Sequence, residues 1–521
     1  MTIAQASATG SRVRSESYDE LLRLLREAAV LGSVESLLSW DQETMMAPRG
    51  APLRADQLSA LSGITHAKRT DPRIGELIAA CEADEAVTGD AAERVNLAEI
   101  KRLYERSTKL PGKLVSELAR TSSEAMEAWK AARAKSDFAM FAPWLEKTFE
   151  LHREKAACYG LPESPDGSPV TPYDALMADF EPGMTAHQVE AIFAPLRERL
   201  TALIGAIGAS GVTPDDALLR ERVPLEEQIA FNKLVAARLG FSFEGGRLDV
   251  STHPFSETMG PGDVRMTTRY SEARFPEACL TTMHETGHSV YEQGLNDTGR
   301  FGQPLGMHIS LGIHESQSRM LENFVGRSLP FWEWALPEAR KLFTTDISRH
   351  TPEQAFRAVN AVRPHFIRVE SDEATYNLHI MLRFDLERAL LAGDLSVADL
   401  PGAWNERMRA DLGLEVKEDR LGCLQDVHWS MGAIGYFPTY TLGNLYAGQM
   451  WDKIGADVPD LDDRMRRGDY AALLAWLHEH VHAVGRLRTA PALCEHITGS
   501  PLSHEPLMRH LEAKLGAIYG L

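Results

Sequence analysis

The stretch Leu280-Thr281-Thr282-Met283-His284-Glu285-Thr286-Gly287-His288-Ser289-Val290-Tyr291 carries the pattern H-E-x-x-H, and no other feature constrains the chain as much. Residues four apart share one face of a helix, so His284 and His288 can aim two imidazoles at one metal ion. Glu285 then stands beside the ion without binding it, where a carboxylate must be to take a proton from a water held there. A helix is the expected local structure: Leu280, Met283, Gly287, Val290 and Tyr291 recur at spacings of three and four, and no proline falls between Pro276 and Pro304. Gly287 costs about 1 kcal/mol in a helix interior relative to alanine, so its presence predicts a close neighbour there. The pattern alone does not decide the matter. The chain has 18 histidines and repeats the expression at His478-Glu479-His480-Val481-His482, which reads instead as the polar border of a helix.

Composition narrows the partners. A formal charge of -19 argues against a nucleic-acid polyanion or an anionic membrane surface, so an anionic substrate would need local Arg or Lys. Cys81, Cys158, Cys279, Cys423 and Cys494 are scattered and odd in number, which suits a reducing cytoplasm. Met1 to Arg14 reads as a disordered leader without the apolar core of a signal peptide, and no apolar run is long enough to span a bilayer.

Along the chain, helical signals dominate. Ser17-Tyr18-Asp19-Glu20 has capping-box spacing ahead of Leu21, Leu24, Leu25, Ala28 and Leu31. Thr185 to Gln188 repeats that spacing ahead of Val189, Ile192, Phe193, Leu196, Leu200 and Leu203, with Pro195 as a point of kinking. Leu473, Leu474, Leu477, Val481 and Val484 make a third stripe. Two stretches break the rhythm. Tyr159 to Asp174, rich in Pro, Gly and Ser, is expected to be a loop between helical halves. From Leu248 to Tyr270 the text alternates, with Val264, Met266, Thr268 and Tyr270 on one side, which predicts a small sheet just before the motif helix.

A catalytic zinc takes three protein ligands and leaves a fourth position for water. Beyond His288 the candidates are Glu292, Asp297, His308, His314, Glu315 and Glu322, and Glu315 lies far enough on for a loop and a return on a second helix. The surrounding text carries a denser signal: His253-Pro254-Phe255, the D-x-R-x-T of Asp263 to Thr267, H-E-S-Q-S at 314 to 318, Ile367-Arg368-Val369-Glu370-Ser371-Asp372, Gly422 to Trp429 and Gly435 to Tyr440. With the N-terminal Ser36-Leu37-Leu38-Ser39-Trp40-Asp41-Gln42-Glu43-Thr44, these motifs resemble the carboxypeptidase Taq family (M32) of metallocarboxypeptidases across almost the whole chain. Ser371, where the family's I-R-x-x-A-D has alanine, is the one visible departure.

The resemblance implies a predominantly α-helical fold, one domain over 1–521, with a long substrate groove between helical halves at about 17–160 and 175–521. It implies a homodimeric metallocarboxypeptidase active on peptides with a free C-terminus, while the scattered cysteines and the N-terminus read as cytoplasmic. One divalent ion per subunit is expected, zinc or alternatively cobalt or manganese, on His284, His288 and Glu315, with Glu285 as general base. Glu315 is preferred to His314 because His2Glu is a known catalytic set. Arg368 is the first candidate for the substrate carboxylate, its plain alternative an ion pair with Asp372 one turn later. Arg265, His253 and Tyr440 are further substrate-binding candidates, and Tyr436, Tyr440 and His428 could donate to an oxyanion. A metal-dependent oligopeptidase of similar fold is the alternative, and a non-catalytic helical peptide-binding scaffold a weaker one.

Overall fold

The protein is described here by a computed structural model covering residues 15–164, 166–296 and 298–521. The leader Met1 to Arg14 and Asp297, one of the third-ligand candidates, lie outside the described residues. Helices make up most of the chain, with one small sheet, as expected. Two compact units separate, one drawn from residues up to Thr108 with Thr298–Met307 and Val484–Leu487, the other from the remainder.

In the first unit the helix Glu16–Thr44 opens slightly before the expected capping box, with Ser15 as N-cap, so Ser17 lies inside it. Tyr18 and Leu21 pack with Ile74, Leu77, Ile78, Cys81, Leu97 and Ile100. The buried Tyr18 hydroxyl donates to Glu93 (2.6 Å) and accepts from Asn96 (2.9 Å), so its polar end is satisfied where its ring is buried.

The second unit is built around the motif helix, Phe275–Asn296. The alternating stretch ahead of it forms three strands, β1 (Gly246–Val250), β2 (Ser256–Gly260) and β3 (Asp263–Thr268), in the order β1-β3-β2. β3 pairs in parallel with β1 and antiparallel with β2. Val264, Met266 and Thr268 are fully buried, and Met266 with Leu248 packs against Val290 of the motif helix. Polar contacts tie sheet and helix: Ser256 and Ser289 share a hydrogen bond of 2.8 Å. On another side, Asn232 of the helix Leu225–Arg238 donates to the Ala278 carbonyl and to the Thr282 hydroxyl.

Other expectations shift by a few residues. The Thr185–Gln188 capping box forms and opens a helix, Ala186–Ser210, that runs through Pro195. The expected loop ends early, because Thr171 caps a short helix, Pro172–Met177, reciprocally with Asp174. The third stripe is cut: the helix Ala471–His480 stops before Val481, whose backbone is no longer helical.

The close neighbour predicted at Gly287 is the helix Leu311–Arg319, hereafter the ligand helix. A Cβ on Gly287 would lie 2.3 Å from the Gln317 carbonyl oxygen. On the opposite side, a Cβ on Gly443 of the helix Pro438–Asp457 would lie 2.6 Å from the Glu315 Cβ. Gly287→Ala should therefore lower stability, because overpacking of about 1–3 kcal/mol exceeds the roughly 1 kcal/mol gained in helix propensity. Gly455→Ala, on the exposed end of the same helix as Gly443 with open space at its Cβ, should raise it. Urea midpoints of the two variants against the parent provide the comparison, and equal midpoints for Gly287→Ala and the parent would refute the packing argument.

Candidate active site

The motif helix and the ligand helix bring three donors together. His284 Nε2 lies 3.7 Å and His288 Nε2 3.4 Å from Glu315 Oε2. Two ligand atoms bonded to one zinc at a tetrahedral angle sit about 3.4 Å apart, so these spacings are those of a shared cation. The far nitrogens are already engaged: His284 Nδ1 lies 2.9 Å from Glu322 Oε2, and His288 Nδ1 lies 2.5 Å from His314 Nδ1. A histidine whose Nδ1–H is held by an acceptor presents a lone pair on Nε2, and with their Nδ1 atoms donating in these contacts both rings would offer Nε2 to a cation.

Glu322 enters by an unusual route. The ligand helix continues into a π-helical segment, Met320–Gly326, which carries Glu322 towards His284. Such segments occur frequently at functional sites. Arg319 Nε donates to Glu315 Oε1 (2.6 Å) and Arg319 Nη1 to Glu322 Oε2 (3.1 Å), while Arg327 Nη2 donates to Glu322 Oε1 (3.2 Å). Burial opposes the ionisation of both carboxylates, yet Arg319 holds each well below the usual carboxylate range. Glu285 behaves differently. Burial pushes its carboxyl up to about 7, with Glu315 and Glu322 adding to the rise and His284 opposing it.

A second cluster surrounds Arg368, which is 5% exposed. Its Nε and Nη2 donate to Asp426 Oδ1 (3.0 and 2.9 Å), and its Nη1 donates to the Tyr376 hydroxyl (2.9 Å). The partner is therefore Asp426 and not Asp372. Arg368 lies in a short turn, Arg368–Glu370, and Asp372 instead caps the next helix through the Ala374 and Thr375 amides. Arg383 also binds Asp426, Nε to Oδ2 at 2.7 Å. Two guanidiniums on one carboxylate leave one positive charge in excess. The Tyr440 ring lies 4.9 Å from the Arg368 guanidinium, and the Tyr440 hydroxyl lies 3.1 Å from His428 Nε2. The Tyr436 and Tyr440 rings are 5.3 Å apart, and the charge of Glu315 reaches both phenols. Tyr376 links the two clusters, since the Arg319 guanidinium lies 4.4 Å over its ring.

Other candidates lie elsewhere or are otherwise committed. Arg265 forms a two-pronged pair with Asp263 along β3 (2.8 and 2.6 Å). His253 is exposed in the loop between β1 and β2. The helix break at Val481 removes His478 and His482 from one helical face. His482 is buried and not on a polar border, with Nε2 3.1 Å from Gln317 Oε1. Sequence reasoning missed Tyr376 and Arg383 outright. For Glu322 the signal was available, since it lies two helical turns beyond Glu315.

A family model described as Carboxypeptidase Taq (M32) metallopeptidase matches residues 20–515. The chain belongs to this family. It is 44% identical over 511 residues to thermostable carboxypeptidase 1 of Thermus thermophilus, covering 97% of this chain and 99% of that one. Carboxypeptidase 1 of Bacillus subtilis is 37% identical, over 96% of this chain and 98% of its own. A crystal structure of an M32 carboxypeptidase from Deinococcus radiodurans R1 superposes with a TM-score of 0.92 at 38% identity, covering 97% and 100% of the two chains. As an M32 member the chain is a metallocarboxypeptidase, which implies a divalent metal ion, and the donors at His284, His288 and Glu315 fit one.

Glu322→Gln keeps the shape of the His284 partner and removes its charge. Metal affinity should fall about 10–100-fold, the usual cost of losing such a partner. Equilibrium dialysis against zinc measures it, and an unchanged dissociation constant would show that Glu322 does not support His284.

Proposed function

We propose that the chain hydrolyses the C-terminal peptide bond of peptides, with His284, His288 and Glu315 holding one divalent ion, zinc in the first instance, and Glu285 as general base. The observation that carries this reading is the convergence of two imidazole Nε2 atoms and one carboxylate oxygen beside the buried carboxyl of Glu285. When bound, the ion acidifies a water and polarises the scissile carbonyl.

The residues divide the remaining work. The Glu285 carboxylate, whose pKa burial raises, accepts the proton of the attacking water and returns it to the leaving amine. Burial raises the Tyr436 phenol, so it stays protonated and can donate to the developing oxyanion. His428 is held neutral, its pKa lowered to about 3 by burial and by Arg368. Its Nδ1 is buried without a hydrogen-bond partner, and its Nε2 lies against Tyr440, so it positions that phenol. The excess positive charge at Arg368 and Arg383 receives the substrate's α-carboxylate, which sets cleavage one residue from the end. Arg265, committed to Asp263, is left out of that role, and so is the exposed His253. A reducing cytoplasm suits the five free cysteines, of which four are buried, and the homodimer that the family resemblance implies completes the reading. Among the described residues no helix is long and apolar enough to cross a membrane.

Glu285→Gln should keep metal content near that of the parent while turnover falls by at least about 10²-fold. Loss of the metal in that variant would make Glu285 a ligand and overturn its assignment. The oligopeptidase alternative is separated by one N-acetylated peptide offered as free acid and as C-terminal amide, followed by mass spectrometry. Stepwise loss from the acid alone, stopped by chelator, is expected. Arg368→Gln should shrink the preference for acid over amide by about 10–100-fold, the worth of a charged hydrogen bond. Internal cleavage of both peptides would instead establish an oligopeptidase.

A further inference from the structure

A second donor set stands behind the first. Glu292 Oε1 lies 3.0 Å from His314 Nε2 and 3.4 Å from His308 Nδ1. The ligand atoms of all three residues fall within 4.8 Å of one another. Glu292 lies one turn beyond His288 on the motif helix, and His314 directly precedes Glu315, so both helices that build the first site also build this one. The His308 side chain is 34% exposed, against 12% for Glu292 and 16% for His314, which opens the set to solvent on the His308 side. Two imidazoles and a carboxylate are the donors of a zinc-type cation.

His314 bridges the two sets, with Nδ1 2.5 Å from His288 Nδ1 and Nε2 3.0 Å from Glu292 Oε1. A cation on His314 therefore acts on the ring of His288, and each ion perturbs the ring that holds the other. The more open His308 side makes the second set the looser of the two.

We propose that Glu292, His308 and His314 form a second, weaker divalent-cation site, coupled to the first through the His288–His314 contact. Its consequence for turnover rests on the proposed function: excess cation slows the peptidase by altering the ring that ligates the catalytic ion.

The test counts ions. The full chain is dialysed against zinc alone, and zinc per chain is determined by elemental mass spectrometry across a rising free concentration. The parent should take up two ions in two steps, whereas His308→Ala and the more conservative His308→Gln should take up one, with the tighter step unchanged. Both variants should keep the parent's activity at one zinc per chain and lose its inhibition at excess zinc. A single ion in the parent, or a second ion retained in both His308 variants, would overturn the proposal. His284→Ala separates the two readings. If it keeps the tighter ion while the His308 variants lose the weaker one, the assignment of the catalytic metal fails and this site stands.

Discussion

The candidate active site depends on how closely one short helix can be held between two others. Leu311–Arg319 touches the motif helix at Gly287 and the helix Pro438–Asp457 at Gly443, and at both points a single Cβ would collide with it. Helix separation is set by the side chains at the contact, so glycine on both sides draws the three axes together. Its N-terminus is held as tightly. Glu181, fully buried and raised to about 7 by that burial, accepts from the Gly312 amide and from the Tyr446 hydroxyl, each at 3.0 Å. A Cβ on Gly312 would lie 2.5 Å from that carboxylate. With one end anchored and both faces clamped, Glu315 has little freedom to leave the two histidines.

Charge is distributed unevenly along the same framework. Around the donor triad, Glu315 and Glu322 face Arg319 and Arg327, an even balance before any ion is added. Around Asp426 the balance is uneven, with two buried guanidiniums on one carboxylate. Burying an uncompensated charge is expensive, and natural chains retain it where an incoming anion completes the set. Tyr376 stands between the two regions, its hydroxyl on Arg368 and its ring under Arg319. On the proposed reading, one end of a bound peptide would be drawn to Arg368 while the bond to be cut lies near Glu285. The same framework then explains why the enzyme would trim from an end.

What could be read without coordinates follows from the range of each signal. The motif helix and the sheet before it were legible because periodicity is local, and Gly287 revealed its neighbour because a helical glycine has a known cost. The convergence of Glu315 on the histidines was accessible only through resemblance, since spacing admits several candidates. The partner of Arg368 was not legible at all. Local spacing favoured Asp372, but that residue spends its carboxylate on the helix amides it caps, and the true partner lies far along the chain. The second H-E-x-x-H shows the opposite limit: its letters match, but the backbone breaks at Val481 and the faces never align.

The two histidines proposed as ligands are not equivalent, and the difference bears on the chemistry. His284 is backed directly by the carboxylate of Glu322, whereas His288 is backed by the His314 ring, with Glu292 one ring further away. A carboxylate partner makes an imidazole a stronger donor, and two such partners would lower the positive charge felt at the cation. Interposing His314 keeps the orienting hydrogen bond and moves the negative charge outward. Arg319 acts in the same sense on the third ligand, since it binds the Glu315 oxygen turned away from the histidines. On the proposed reading the donors would hold an ion in place without neutralising it. That combination would suit a proposed metal that must remain a Lewis acid strong enough to acidify water beside the buried carboxyl of Glu285.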